Sequence, residues 1–287
     1  MPYLSVGQEN SGHIDLYYED HGSGRPVVLI HGFPLSSRSW EKQVPLLLES
    51  GHRVIAYDRR GFGNSGKPSF GYDYDTFAAD MNALIEALDL KDATLIGFSM
   101  GGGEVARYLG KYGTKRVRDA VFISSIPPYL GNAADNPEGV DRAVFSGVEQ
   151  GIAADRLSFL TEFFKNFYNV DQLYPARIND QALQFSWNIA SLASPIATYQ
   201  CVSTWQTDFR KDLERIDVPT LVIHGDSDRI VPIEAAGART AKAVKGAKLV
   251  TVSGGPHAVN WTHAEEVNAA LGEFLQIEAG KSKKSAA

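Results

Sequence analysis

Apolar residues along this chain follow two rhythms, and the alternation between them predicts the architecture. Pro26-Val27-Val28-Leu29-Ile30, Arg53-Val54-Ile55-Ala56-Tyr57, Thr94-Leu95-Ile96-Gly97 and Pro219-Thr220-Leu221-Val222-Ile223 are short, nearly continuous apolar runs. Runs of that length, closed by glycine-rich loops, read as strands buried on both faces. Residues 117–124 and 247–252 read the same way. Between the runs lie segments of helical period: 37–48, 76–88 (Phe77, Met81, Leu84, Ile85 and Leu88 on one face) and a stretch just beyond Gly101 to about Tyr112. Two more helices are predicted over 233–243 and 264–277. Residues 3–6 and 14–19 resemble two strands joined by the polar turn Gln8-Glu9-Asn10-Ser11-Gly12. Eight strands alternating with helices imply an α/β fold with a mostly parallel sheet.

The rhythm breaks once. Pro127-Pro128 opens a stretch, 127–212, that is helical and rich in aromatic residues, with no convincing buried strand. An insertion at the carboxyl end of the sixth strand lies over the crevice where such sheets bind ligands. The expected organisation is therefore a core of 1–126 and 213–279 with a helical cap inserted at 127–212. Residues 280–287 read as a disordered tail. There is no repeat of a period that would suggest a solenoid.

Composition narrows the function classes. With 44% hydrophobic and 22% charged residues in 287, the chain reads as a soluble globular protein. A net charge of -6 without a dense Lys/Arg block argues against a nucleic-acid partner. No apolar run approaches the roughly 18 residues of a membrane span. Met1-Pro2-Tyr3-Leu4-Ser5 carries no basic or apolar signal region, so the cytoplasm is the expected location. Cys201 is the single cysteine, which excludes a disulfide framework and suits a small buried apolar residue in a cap helix. The seven histidines fall in no metal-ligand spacing, so neither metal nor cofactor is expected. Asn260-Trp261-Thr262 is a glycosylation sequon, without meaning in a protein that is not secreted.

The candidate chemistry centres on Gly97-Phe98-Ser99-Met100-Gly101, a serine on a sharp strand-to-helix turn. Small flanking residues permit the strained turn, which aims the hydroxyl outward above the N–H groups and positive end of a helix. A serine hydroxyl is a poor nucleophile without a base, and the base needs an acid to hold one tautomer. In this topology acid and base follow the nucleophile on loops after later strands. His224-Gly225-Asp226-Ser227-Asp228 and Ser253-Gly254-Gly255-Pro256-His257 occupy those places. Asp228 is assigned as the acid and His257 as the base. Asp226 is expected to bond N–H groups within its own turn. The oxyanion would be held by the backbone N–H of Met100 and that of Phe33, in His31-Gly32-Phe33-Pro34 after the third strand. Pro34 offers no N–H and biases Phe33 towards an extended backbone.

One rival motif fails on context. Gly61-Phe62-Gly63-Asn64-Ser65-Gly66-Lys67 matches both a dinucleotide fingerprint and the start of a phosphate-binding loop. Pro68 stands where Ser or Thr should hold magnesium, and Pro68-Ser69-Phe70-Gly71-Tyr72 does not open into a helix. A tight structural loop is the better reading.

His31-Gly32-Phe33-Pro34, Tyr57-Asp58-Arg59-Arg60-Gly61-Phe62-Gly63, the run from Gly97 to Tyr108, and Gly254-Gly255-Pro256-His257 together resemble the cofactor-free bacterial haloperoxidases of the α/β-hydrolase fold. These are kin of arylesterases and of a (+)-γ-lactamase, and the similarity runs from about Tyr3 to Leu275. The resemblance implies Ser99, Asp228 and His257 as a catalytic triad. It implies ester hydrolysis and, with hydrogen peroxide, formation of peracids that oxidise halide. A proline at Pro34 resembles the perhydrolase side of the family, where it would turn the Phe33 carbonyl towards attacking peroxide. Resemblance and position also put Pro34, Phe163, Phe167, Trp205 and Ile230 around the acyl group, with Phe159 expected to pack against the main domain. Aspartate-nucleophile relatives are disfavoured because serine occupies the turn. A γ-lactam hydrolase using the same residues, and a non-catalytic ligand-binding member of the fold, are the alternatives. Relatives are often oligomeric, so a homo-oligomer is allowed for.

Overall fold

The computed structural model describes residues 2–277, and among them the apolar runs join in a single eight-stranded sheet. Its strands are β1 (Tyr3–Glu9), β2 (Gly12–Gly22), β3 (Pro26–Ile30), β4 (Arg53–Tyr57), β5 (Ala93–Phe98), β6 (Val117–Ile123), β7 (Thr220–Gly225) and β8 (Lys248–Val252). They lie in the order β1-β2-β4-β3-β5-β6-β7-β8. β1 with β2 and β2 with β4 pair antiparallel, and every later pairing is parallel. β3, β5 and β7 are buried along their whole length. That is why their sequences run apolar without alternation.

Helices α1 (Val44–Glu49), α2 (Tyr74–Ala87) and α3 (Met100–Tyr112) connect the strands as far as β6. Between β6 and β7 come α4 (Arg142–Phe167), α5 (Val170–Leu173), α6 (Asp180–Ser191), α7 (Pro195–Thr204) and α8 (Arg210–Leu213). α9 (Gly237–Ala243) precedes β8, and α10 (Val259–Thr262) and α11 (Ala264–Phe274) follow it. None of these helices is long and apolar enough to cross a membrane.

Local chemistry explains where bounds depart from the sequence pattern. The helix expected over 37–48 is broken into a 3-10 turn, Ser37–Trp40, and α1, whose first turn holds Pro45. Pro45 has no N–H to return to the carbonyl four residues back, so one helix cannot run through it. α2 starts at Tyr74, ahead of its apolar face, because the Asp73 carboxylate accepts the Thr76 N–H at 2.9 Å. The helix expected over 233–243 begins only at Gly237, since the N–H groups of Ala235 and Ala236 turn back to the Pro232 carbonyl. The tail expected over 280–287 lies outside the described residues.

Parallel pairing aligns the carboxyl ends of the central strands. Ile30 faces Gly97, Phe98 faces Ile123, and Ile123 faces Ile223. The loops leaving these ends therefore gather at one edge of the sheet, joined by the loop after β8 through the Gly225–Val252 pairing. Helices α4 to α8 start from that same edge and are tied to it. Ser194 N–H donates to the Gly61 carbonyl at 2.8 Å, and Asn169 Nδ2 donates to the Ser227 carbonyl at 2.8 Å. The Phe209 ring packs edge-on against Tyr74, centroids 4.7 Å apart. α4 is two helices in one: Asp155 has φ -157° and ψ 96°, and its carboxylate accepts the N–H groups of Leu157 and Ser158 at 3.1 Å each. A side-chain cap inside an apolar run starts a new helix at a new angle.

Candidate active site

Ser99 sits at the turn between β5 and α3 with φ 55° and ψ -120°. A positive φ is strained for any residue with a side chain, and it persists only where the surroundings fix it. They do so by close packing. A Cβ on Gly97 would come within 2.5 Å of the Gly101 carbonyl oxygen, and one on Gly101 within 2.2 Å of the Ile30 oxygen. Glycine at both places lets α3 start directly after the serine, with Met100 as its first residue. The positive end of the helix dipole thus lies next to the hydroxyl.

His257 and Asp228 reach the same point from two loops. The Ser99 hydroxyl lies 2.8 Å from His257 Nε2, and His257 Nδ1 lies 2.7 Å from Asp228 Oδ2. Asp228 Oδ1 accepts the N–H groups of Ile230 and Val231 at 2.9 and 2.8 Å. A second imidazole, His224, bonds through Nε2 to the Val231 carbonyl at 2.8 Å and lies 3.3 Å from Asp228 Oδ2. Burial works to raise the Asp228 carboxyl, but the facing imidazoles of His257 and His224 and the hydrogen bonds they donate outweigh it. The net shift is downward, well below the usual carboxylate range. An ionised Asp228 can only accept, so His257 Nδ1 carries the hydrogen and Nε2 is left to accept from the serine. A row of this kind can take a proton from the hydroxyl while the carboxylate stabilises the imidazolium.

Two rings fix the imidazole plane: Phe98 at 5.2 Å, and Phe167 edge-on at 5.0 Å. The N–H groups of Phe33 and Met100 donate to no acceptor among the described residues. Both residues line a cavity of about 290 Å³ together with Ser99 and His257.

The cavity also settles where the remaining expected residues stand. Phe163, Trp205 and Ile230 line it. Pro34 does not. The turn closed by the Leu35 N–H to the Gly32 carbonyl at 3.1 Å leads the chain away, and the Phe33 ring takes the wall position. Phe167 does not line it either. Two helical turns beyond Phe159, it is fully buried against His257, Phe98 and Tyr168. Phe159, expected to be packing alone, is a lining residue. The pattern missed Leu130, Val140, Val144, Phe145 and Val148, which line the outer wall. Val144 and Val148, one turn apart at the start of α4, were the available signal. The polar lining residues on this side are Glu162, Asn166 and Arg229, the last paired with Asp171 at 2.8 and 3.0 Å.

Three nearby features have other roles. Within its own turn Asp226 accepts the Ser227 hydroxyl at 3.2 Å rather than an N–H group, and the N–H it takes is that of Gly254 at 2.7 Å, joining the loop after β7 to the loop that carries His257. The glycine-rich loop at 61–67 stays irregular until α2, held by the Asp58 carboxylate through Ser37 N–H and Asn64 N–H. Cys201 is fully buried in α7, and burial pushes its thiol up to about 12.

Comparison with known proteins follows the same lines. A family model described as the alpha/beta hydrolase fold matches residues 25–264. A protein of Synechocystis sp., named provisionally as a non-haem chloroperoxidase, is 59% identical over 276 residues, covering 96% of this chain and 100% of its own. A bifunctional esterase/perhydrolase of Acinetobacter calcoaceticus is 35% identical over 267 residues, covering 92% of this chain and 96% of its own. The crystal structure of a bromoperoxidase from Bacillus anthracis matches with a TM-score of 0.92 at 50% identity, covering 96% of this chain and 99% of the other.

Proposed function

This chain belongs to the α/β-hydrolase family, in its cofactor-free haloperoxidase branch, and we propose that it is a serine hydrolase that works through an acyl-enzyme on small carboxylic esters. The observation that carries this reading is the row Asp228–His257–Ser99, with spacings of 2.7 and 2.8 Å. His257 Nε2 takes the proton as Ser99 Oγ attacks the acyl carbonyl. The N–H groups of Phe33 and Met100 hold the oxyanion, and His257 returns the proton to the leaving alkoxide. Water or hydrogen peroxide then attacks the acyl-serine, His257 receives its proton and passes it to Ser99 Oγ as the acyl–oxygen bond breaks, and the acid or peracid leaves. Peracid released to solution passes one oxygen to halide, giving the carboxylate and hypohalous acid. No step calls for a metal or a halide site.

In this reading residues 127–212 act as a cap on the core formed by the described parts of 1–126 and 213–279, which are 2–126 and 213–277. A cavity of about 290 Å³ with apolar walls supports small apolar or aryl acyl groups, since pockets for larger ligands start at about that size. The name of the Acinetobacter relative, an esterase/perhydrolase, supports peroxide as the alternative acceptor.

The test runs three assays on wild type and on Ser99→Ala: hydrolysis of an aryl ester, opening of a bicyclic γ-lactam, and peracetic acid formation from acetate and peroxide. A fluorophosphonate probe is applied to both proteins. The expected result is labelling of the wild type at Ser99, with ester turnover and peracid formation, all lost in the variant. Lactam turnover exceeding ester turnover would move the assignment to an amide hydrolase. An unlabelled wild type would leave a ligand-binding protein.

A further inference from the structure

Beneath the site lies an ion pair that the acyl-transfer chemistry does not use. Arg59, just after β4, and Glu104, on α3, have side chains that are 1% and 0% exposed. Arg59 Nε donates to Glu104 Oε2 at 2.6 Å, and the Tyr57 hydroxyl donates to Glu104 Oε1. Arg59 Nη2 donates to the His31 carbonyl at 2.8 Å, and the Arg59 backbone N–H donates to His31 Nε2 at 3.0 Å. His31 Nδ1–H in turn reaches the Gly32 carbonyl at 2.8 Å. Arg59 Nη1 is buried without a partner.

Such a pair is a poor way to stabilise a fold. Two desolvated charges recover their hydration only with good geometry and full hydrogen bonding, and apolar replacements of similar volume are often as stable or more so. What the pair does is connect. Arg59 grips His31 at two atoms, two residues before the Phe33 N–H. Glu104 stands about one turn into α3, whose first residue is Met100. One ion pair therefore ties together the two segments that carry the oxyanion donors. The adjacent arginine supplies the contrast. Arg60 meets Asp80 of α2 with two parallel hydrogen bonds at 2.6 and 2.7 Å, and neither bond reaches His31 or α3.

We propose that Arg59 and Glu104 are positioning residues for the oxyanion hole. This rests on the serine-hydrolase reading above. Removing the pair lets the Phe33 and Met100 donors drift apart while the row of Ser99, His257 and Asp228 stays whole. Displacement by a fraction of an ångström weakens bonds that matter only in the transition state, so kcat falls and KM does not.

The full-length triple variant Tyr57→Phe, Arg59→Met, Glu104→Met replaces the ion pair and its tyrosine with apolar groups, strands no carboxylate or hydroxyl, and leaves the His31 carbonyl as the one acceptor that loses its donor. Its kcat on an aryl ester is expected to fall about 10- to 100-fold, below the loss from deleting an oxyanion donor outright. KM and the melting temperature should remain near wild type, and a fluorophosphonate should still label Ser99 to completion, at a rate lowered in step with kcat because its phosphoryl oxygen uses the same donors. A boronic acid, which forms a tetrahedral adduct on the serine, should lose affinity in step with kcat/KM, while a product carboxylate should not. The control Arg60→Met, Asp80→Leu, an equally buried pair replaced in the same way, should keep the melting temperature near wild type and leave kcat alone. Arg59→Lys, which keeps the charge but cannot hold both Glu104 and His31, decides the matter if the triple variant does not fold: a kcat loss at wild-type KM supports the role. Wild-type kcat in the triple variant, or in Arg59→Lys where the triple fails to fold, removes the positioning role alone. A wild type that neither labels nor turns over ester removes the reading beneath it.

Discussion

The cavity has two walls, and they are held by different physics. On the sheet side, Ser99, His257 and Asp228 are joined at 2.7 to 2.9 Å to each other and to the Ile230 N–H. On the helical side, Val144, Val148, Phe159 and Phe163 present carbon, with Glu162 and Asn166 as the polar residues of the same helix. Hydrogen bonds weaken steeply with distance and angle, whereas dispersion contacts depend on how much volume is filled. Damage to the first wall should therefore appear in rate, and damage to the second in which acyl group is preferred.

The largest effect is expected from Asp228→Asn. The substitution preserves shape and an oxygen for the N–H groups of Ile230 and Val231, but removes the charge that stabilises the imidazolium and favours the wrong His257 tautomer. The loss in kcat on an aryl ester should be about 10⁴-fold at neutral pH, read from steady-state kinetics alongside an unchanged far-UV spectrum. A loss below about 10-fold would mean that directional bonding does not govern this wall.

Next comes an effect on stability with a definite sign. Burial, and then the nearby Arg59 charge, hold His31 well below the ordinary histidine range. It is neutral in the fold, while the unfolded chain binds a proton there below about pH 6.5. Between those two values the unfolded state holds more protons, so stability rises with pH and is lost on acidification. The slope for one such proton is at most about 1.4 kcal/mol per pH unit. His31→Gln keeps an acceptor for the Arg59 N–H and does not titrate. Its melting temperature should drop less than that of wild type between pH 8 and pH 5. Equal drops would assign the acid loss to His52 and His263, which burial also depresses.

The two walls also differ in how well the sequence reveals them. The sheet side is built where continuous apolar runs stop. Each stop is marked by residues with unusual backbone demands, as in Gly97-Phe98-Ser99-Met100-Gly101, so the loops bearing Phe33, Ser99, Asp228 and His257 are readable one by one. The helical side is built from period alone, and period does not say which face meets a cavity. The cap at Asp155 reorients the whole second half of α4, and along that half the stripe Phe159, Phe163, Phe167 passes from the cavity to the His257 imidazole. The Asp155-Arg156-Leu157-Ser158 sequence held the clue, a capping residue within an apolar run. Arg59 and Glu104 had none. Two charges 45 positions apart read as solvated until the sheet brings them together.

Both walls meet on α4, where one residue type does both kinds of work. The Phe159 ring faces the cavity and, among the rings of the described residues, touches only Phe163, at 5.7 Å. Phe167, two turns on, is sealed from solvent and stands against the His257 imidazole. Phe159→Ala opens volume without touching a hydrogen-bonded atom. It should shift the kcat/KM ratio of hexanoyl to acetyl aryl esters towards the longer chain by about 10-fold, the worth of a methylene or two in an apolar pocket. Phe167→Leu should act differently and more weakly. Without the ring edge the imidazole gains freedom to tilt, and kcat should fall by about 2- to 5-fold for both esters, with their ratio unchanged, in keeping with the modest worth of one aromatic contact. If Phe159→Ala instead lowers both esters alike and Phe167→Leu changes their ratio, the division between rate and choice does not run through this helix, and the imidazole is held by its hydrogen bonds alone.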